Sequence, residues 1–231
     1  MKALTSELTV RSGDDPSLVP FRAKLLEIAH EPIKNAGPSC TLPIFRESLA
    51  AALAAMPSSG PIHETVSAIA AKLAWYQVYR GADLDPMLAE RMFAGQVVGQ
   101  VGLLKSDNVR TGLFLLVPGL HYPMHTHAAG EIYFCLSGSV TLQHGLNGVP
   151  FDLRPGDISV TQPNHVHSLT TGLQPTLLVY QWIGDVDSPN WWWEKRSDGK
   201  WWREKWVRQD DASWATEGVE PVPQDEISAM T

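Results

Sequence analysis

Residues 119–138 read GLHYPMHTHAAGEIYFCLSG, and this stretch decides the fold. His125 and His127 are two residues apart, so on an extended segment their side chains project from the same face. Glu131 follows after a short turn and can return its carboxylate to the same point, while Gly138 suits the tight turn that ends the next strand. The spacing therefore predicts strands that carry a metal site.

A fourth ligand is expected nearby, and residues 155–167, PGDISVTQPNHVH, offer His165 and His167. Imidazoles combined with a carboxylate suit one borderline divalent transition metal, such as Fe, Mn, Zn, Ni or Co. The sequence does not choose among these metals. Three histidines and one glutamate leave coordination positions open for a ligand. Taken alone, His121, His144 and His165 are better interpreted as histidines satisfied by hydrogen bonds.

Together the two segments resemble the two motifs of the cupin superfamily. The first has the pattern Gly, five residues, His-x-His, three residues, Glu, six residues, Gly. In the second, Pro155, Gly156 and Asp157 open a turn, and His167 lies eleven residues after Gly156, where cupins place their last ligand. The resemblance implies a mainly β fold, the cupin double-stranded β-helix or jelly-roll barrel. It also favours His167 over His165 as the ligand.

Composition and charge restrict the classes of function. The chain has 231 residues, 44% of them hydrophobic, which is enough for one catalytic domain with its own core. A net charge of -7 argues against nucleic-acid and anionic-membrane partners, because such binding requires clustered Lys and Arg. The sequence shows neither a signal-peptide core nor an apolar run of membrane-spanning length. We therefore expect a cytoplasmic protein without a membrane partner.

The N-terminal region, residues 1–97, is predicted to be helical and to pack on the barrel. Apolar residues recur at helical spacing in several segments. The predicted helices are Ser17–His30, ended by Pro32; Phe45–Met56; His63–Tyr79; and a short one, Leu84–Ala94, closed by Gly95. Their apolar stripes are expected to cover a face or the mouth of the barrel, or to form the contact of a homodimer.

Residues 98–215 are predicted to form the barrel, and residues 216–231 a frayed acidic tail. Short strand-like runs alternate with Gly, Pro, Asn and Asp, as in an antiparallel barrel. These runs are Val101–Leu104, Thr111–Val117, Glu131–Leu136, Val140–Gln143, Ile158–Thr161 and Thr176–Ile183.

The C-terminal part of the predicted barrel is rich in tryptophan. Eight of the nine tryptophans follow Gln181: Trp182, Trp191, Trp192, Trp193, Trp201, Trp202, Trp206 and Trp214. They are expected to cap the barrel by burying their rings. Alternatively, one or two of them line the pocket and hold a cation on the ring face.

Two tyrosines are candidate catalytic residues. Tyr133 lies two residues after Glu131, so it should point to the same face and reach the open side of the metal. A divalent cation nearby would lower the pKa of its phenol, and Tyr133 could then act as a general base. Tyr122 precedes the ligand strand and is a candidate second phenol of the pocket. The alternative for both residues is a barrel-filling aromatic ring with a bonded hydroxyl.

Residues 121–138, HYPMHTHAAGEIYFCLSG, narrow the resemblance further. One Tyr before the His pair and another two residues after the Glu are similar to the cupin-type dimethylsulfoniopropionate lyases. The helical N-terminal part before a single cupin resembles the DddL branch, with the DddQ type as second choice. Membership would imply a carbon–sulfur lyase of the dimethylpropiothetin dethiomethylase type. Its small zwitterionic substrate would be cleaved to dimethyl sulfide and acrylate, with Tyr133 carried over as the base.

Two other functions fit the same residues. One is a metal-dependent cupin dioxygenase or isomerase that acts on another small carboxylic acid, and uptake of oxygen would identify the dioxygenase. The other is a non-catalytic cupin that senses a metal or a ligand. The sequence lacks a DNA-binding helix pair with basic flanks, which weakens the sensor hypothesis.

Overall fold

The computed structural model describes residues 2–28, 39–57, 61–81 and 84–230. Its helices are α1 (Lys2–Arg11), α2 (Val19–Leu26), α3 (Pro43–Ala54), α4 (Pro61–Ile69), α5 (Pro86–Ala89) and α6 (Gln224–Ala229), with single 3-10 turns at Pro16–Leu18 and Ala70–Lys72. Within the described residues, no helix is both long and apolar enough to cross a membrane.

Thirteen strands are assigned in the described part of the chain. They are β1 (Trp75–Gln77), β2 (Met92–Val98), β3 (Val109–Leu116), β4 (His121–Thr126), β5 (Gly130–Ser137), β6 (Val140–His144), β7 (Phe151–Leu153), β8 (Ile158–Thr161), β9 (His167–Thr171), β10 (Thr176–Ile183), β11 (Asn190–Lys195), β12 (Trp201–Arg208) and β13 (Trp214–Pro221). One sheet has the order β1-β2-β3-β10-β5-β8 and the other β13-β12-β11-β4-β9-β6-β7. The predicted mainly β fold with an N-terminal helical region is confirmed.

The N-terminal helices pack on the outer face of the first sheet. Phe21 of α2 and Phe45 of α3 share a buried apolar cluster with Leu113 and Val179 of the sheet. The Gln181 side chain donates a hydrogen bond of 2.9 Å to the carbonyl of Phe21, which ties α2 to β10. The apolar face of α4 packs into the same cluster through Val66. The apolar residues predicted to lie along this helix are therefore buried by other parts of the same chain.

Two helix predictions are wrong at their C-terminal ends. The predicted helix His63–Tyr79 stops at Lys72, and Trp75–Gln77 forms β1 instead. Of the predicted helix Leu84–Ala94, only α5 is helical, and β2 begins at Met92. Gly95 does not close a helix: it pairs with Trp75, where an added Cβ would lie only 3.0 Å from Leu73. The reason is tertiary pairing, since β2 forms an antiparallel ladder with β3 along most of its length, with a bulge between Gln96 and Val98.

Several other predictions differ from the structure. Residues 101–104 form a turn with a single bridge between Val98 and Leu104, so the predicted strand there is wrong. The barrel sheets begin before residue 98, with β1 and β2. The predicted frayed tail instead continues β13, which pairs with β12, and ends in α6. The predicted ends of the first helix, His30 and Pro32, lie outside the described residues.

Candidate metal centre and pocket

Three histidines meet inside the barrel because β4 and β9 are paired. His125 of β4 is the direct partner of His167 of β9, and their ring centroids are 4.0 Å apart. His127 follows β4, and its ring lies 5.1 Å from that of His167. The three rings are buried, and their ligand nitrogens lie within 4.8 Å of one another. This buried triad could hold a metal ion.

Each imidazole is oriented by a backbone carbonyl group nearby in the sequence. The Nδ1 atoms donate hydrogen bonds to carbonyl oxygens two residues away, at 2.8 Å for His125, 2.9 Å for His127 and 3.0 Å for His167. Because a carbonyl oxygen can only accept, Nδ1 carries the proton and Nε2 is left with a free lone pair. This is the tautomer that a metal-binding histidine needs.

Glu131, on β5, completes the cluster. Its Oε2 atom lies 3.5 Å from Nε2 of His127 and 3.3 Å from Nε2 of His167. Bond lengths of about 2.1 Å to a shared ion would separate ligand atoms by about 3.0–3.5 Å, so the spacing fits. Among the described residues, these three buried atoms have no hydrogen-bond partner. Burial raises the pKa of Glu131, and the charge of protonated His127 and His167 lowers it to well below its ordinary value; a bound cation would act in the same direction.

Tyr133 lies on β5, two residues beyond Glu131, and lines the same pocket. Its ring stacks on Phe114 with centroids 5.8 Å apart. Burial raises the pKa of Tyr133 well above its ordinary value, and the negative charge of Glu131 raises it further. The structure therefore brings this phenol beside the predicted ligand carboxylate.

Tyr122 also reaches the site, although regular strand alternation would place its side chain on the face opposite to that of His125. A register shift between the two residues in the β4–β9 pairing changes the alternation, and the Tyr122 ring stacks on His125 at 3.8 Å. Its hydroxyl hydrogen-bonds the hydroxyl of Tyr79, which accepts another bond of 2.6 Å from the Asn190 amide. Burial raises the pKa of Tyr79 to about 12. Sequence reasoning missed Tyr79 and Asn190, and no local pattern marks either residue.

The remaining histidines lie outside the triad. The backbone carbonyl of His165 accepts the hydrogen bond from His167, and its own ring is not part of the buried triad. His144 Nε2 lies 3.4 Å and 3.3 Å from the hydroxyls of Ser159 and Thr161. His121 is exposed and bonded to a threonine on β9.

The tryptophans divide between the two predicted roles. Trp182 and Trp214 line the pocket that opens from the histidines. Trp192 stacks on Trp206 at 4.6 Å, within the apolar cluster behind the two tyrosines. A third group, Trp191, Trp193 and Trp201, packs with Ile227 and Met230 at the C-terminus. The Trp-rich segment therefore both caps the barrel and contributes ring faces to the pocket.

Known proteins of one family are similar to this chain. Residues 21–178 match the dimethylsulfoniopropionate lyase family model. The chain is 30% identical over 128 residues to the dimethylsulfoniopropionate lyase DddQ of Ruegeria pomeroyi, an alignment that covers 55% of this chain and 63% of the relative. The chain thus spans less than two thirds of that relative's length. This relative is of the DddQ type, the second choice after the DddL branch.

Two solved structures share the fold. The structure of DddQ from Ruegeria pomeroyi has a TM-score of 0.58 and 23% identity, covering 80% of this chain and 94% of that one. A structure described with the lyases RdDddP and RnDddQII has a TM-score of 0.58 and 22% identity, covering 79% of this chain and 93% of that one. They confirm the predicted cupin fold. With the family model matched over most of the chain, this protein belongs to the dimethylsulfoniopropionate lyase family.

Proposed function

We propose that this protein is a metal-dependent lyase that cleaves dimethylsulfoniopropionate to dimethyl sulfide and acrylate. The observation that carries the proposal is a buried cluster of three histidines and one glutamate beside a pocket lined by aromatic residues, two of them the candidate phenols Tyr122 and Tyr133. The family membership and the DddQ relative support the same activity.

In this proposal His125, His127, Glu131 and His167 hold one divalent transition ion, which is Fe, Mn, Zn, Ni or Co. When bound, the ion supplies positive charge that acidifies the carbon next to a substrate carboxylate and opposes the effect of Glu131 on the Tyr133 phenol. The free Nε2 lone pairs and the unpartnered Glu131 oxygen support this assignment.

Tyr133 takes the proton from the carbon next to the carboxylate. The bond between the β carbon and sulfur then breaks, and sulfur keeps the electron pair and leaves as a neutral sulfide. We assign this step to Tyr133 rather than Tyr122 because the Tyr122 hydroxyl is engaged by Tyr79, whereas that of Tyr133 adjoins Glu131. Tyr122 then serves as the second phenol of the site and positions the substrate.

The pocket walls suit the other half of the zwitterion. A sulfonium is a permanent cation, and the faces of Trp182 and Trp214 can hold it without a counter-charge that would oppose its departure as a neutral molecule. The elimination does not use water as a reactant, so buried surroundings that exclude water are compatible with it. Neither an oxidant nor a reductant takes part.

The decisive experiment uses the purified full chain loaded in turn with each of the five metals. Headspace gas chromatography should detect dimethyl sulfide, liquid chromatography should detect acrylate in equal amount, and an oxygen electrode should record no uptake. Metal-free protein is the control. If no dimethyl sulfide is detected with any of the five metals, or if oxygen is consumed, the assignment moves to a cupin dioxygenase or isomerase.

The compartment and the oligomeric state of the enzyme are also open to test. We propose that it acts in the cytoplasm, which fractionation of cells that express it would test. A homodimer stays a prediction, and light scattering after size exclusion would measure it. The helical stripe that suggested a dimer contact is used within one chain, so another surface would have to form the interface.

A further inference from the structure

The outer part of the pocket carries two guanidinium groups that the proposed elimination does not use. Arg110 of β3 and Arg208 of β12 line the same pocket as Glu131 and Tyr133. Arg110 is the direct partner of Trp182, which in turn pairs with Glu131. Two strand spacings thus place the Cα atoms of Arg110 and Glu131 about 10 Å apart.

Only one of these arginines has a carboxylate partner. Arg110 pairs with Asp187, whose side chain is 54% exposed, whereas that of Arg110 is only 13% exposed. Arg208 lies over the ring of Tyr76, 5.8 Å from its centroid, and the described residues give it no acidic partner. Two guanidinium groups against one carboxylate leave this part of the pocket with an excess of positive charge.

Two phenols, Tyr76 and Tyr180, line the same pocket as the two arginines. Burial raises the pKa of Tyr180 well above its ordinary value and Tyr76 raises it further, while the positive charges of Arg110 and Arg208 act in the opposite direction. The Gln96 amide donates a hydrogen bond of 2.9 Å to the hydroxyl of Tyr76.

We propose that Arg110 and Arg208 form an anion-binding subsite for a second carboxylate, and that the preferred substrates are methylsulfonium dicarboxylates. This inference rests on the proposed function. Guanidinium groups bind carboxylates through strong, charge-assisted hydrogen bonds. With dimethylsulfoniopropionate, whose sulfonium lies on the tryptophan faces, no group of the substrate would pair with these arginines. A carboxylate on one of the sulfur substituents would pair with them.

The chemistry of the step is unchanged for such a substrate. With bis(2-carboxyethyl)methylsulfonium, Tyr133 takes the proton next to the reacting carboxylate, and a carbon–carbon double bond forms. The carbon–sulfur bond breaks, and sulfur keeps the electron pair. The products are acrylate and 3-(methylthio)propionate, and the proton passes from the phenol to solvent. Arg110 and Arg208 bind the carboxylate that remains on the thioether.

Binding of unreactive thioethers tests the subsite separately from catalysis. Isothermal titration calorimetry compares 3,3′-thiodipropionate with 3-(propylthio)propionate, in which a methyl group replaces one carboxylate, on the metal-loaded protein. We expect the dicarboxylate to bind at least about tenfold more tightly. Arg208→Gln should abolish this preference and Arg208→Lys should restore part of it. Lys205→Gln, which removes a charge from the same strand but outside the pocket, should keep it.

Equal affinity for the two thioethers in the unmodified protein overturns the proposal, as does a preference that survives in both Arg208→Gln and Arg110→Gln. Because thioethers do not react, the outcome is independent of turnover. If dimethyl sulfide is released but the dicarboxylate has no advantage, only the subsite fails. If the dicarboxylate is preferred but no sulfonium is cleaved, the subsite stands and the lyase assignment fails.

Discussion

The indole N–H of Trp182 donates a hydrogen bond to Oε1 of Glu131, and the same ring lies over His127 with centroids 4.2 Å apart. One tryptophan on β10 therefore orients two of the four residues of the cluster. The bond leaves Oε2 of Glu131 directed toward the histidines. Trp182 thus has a structural role at the cluster beyond its contribution to the pocket wall.

We expect Trp182→Phe to weaken metal binding by about 10- to 100-fold, because groups that orient metal ligands have effects of this size. Competition with a coloured chelator measures the affinity for zinc. The control is Trp201→Phe, which changes a tryptophan that packs near the C-terminus away from the cluster. Equal affinities for the two variants would contradict the orienting role of Trp182.

The two histidines of the second motif should differ sharply on mutation. His167→Ala removes a buried ring from the cluster and should reduce metal content from one ion per chain to a small fraction. His165→Ala changes a ring outside the triad and leaves its orienting carbonyl in place, so metal content should stay near one. Elemental analysis by mass spectrometry checks both values. Retention of the ion by His167→Ala would show that the site lies elsewhere.

Loss of the proposed base should affect turnover rather than metal binding. Tyr133→Phe should lower kcat for dimethylsulfoniopropionate by about 10²- to 10⁴-fold, the usual contribution of a general base. Metal content should not change. Tyr122→Phe leaves the base in place and should cause a smaller loss of kcat. A larger loss in Tyr122→Phe than in Tyr133→Phe would reverse the assignment of the two phenols.

Gly112 permits the close approach of β3 to β2. A Cβ atom there would lie 2.1 Å from the carbonyl oxygen of Gly95, whereas one at Gly218 would meet nothing within 4 Å. Gly112→Ala should therefore lower the free energy of unfolding by about 1–3 kcal/mol, as overpacking does. Gly218→Ala should stay within about 0.5 kcal/mol of the unmodified protein. Urea denaturation measures both, and equal stabilities would contradict the predicted clash.

His144 should make stability depend on pH. Burial is the largest cause that lowers its pKa, from the ordinary 6.5 to about 4. Between these two values the unfolded state binds more protons than the folded state, so the free energy of unfolding falls as pH decreases through this window. His144→Gln should lack this contribution of about 1–2 kcal/mol, which is limited because the ring is partly exposed. Denaturation at pH 7 and pH 4 tests it: an equal loss in both proteins would exclude His144 as a cause.

The sequence predicts best where the relevant contacts are local. His125, His127 and Glu131 lie within seven residues, so strand alternation and one turn were enough to place them together. The position of His167 followed from the spacing of the second motif. Helices were predicted wrongly at Trp75–Gln77 and Met92–Val98, because a short run of apolar residues fits the apolar face of a helix as well as a strand. Their partners in the sheet decided in favour of strands.

The class of fold, the four residues of the buried cluster and the phenol beside them could be predicted from the sequence. The distant side chains that complete the pocket, among them Tyr79, Trp182, Asn190 and Arg208, are identified only by the tertiary structure. These residues come from segments that are far apart in the chain, and their meeting depends on sheet order and register. Register shifts, such as the one that brings Tyr122 onto His125, result from packing between strands and leave no periodic trace in the sequence.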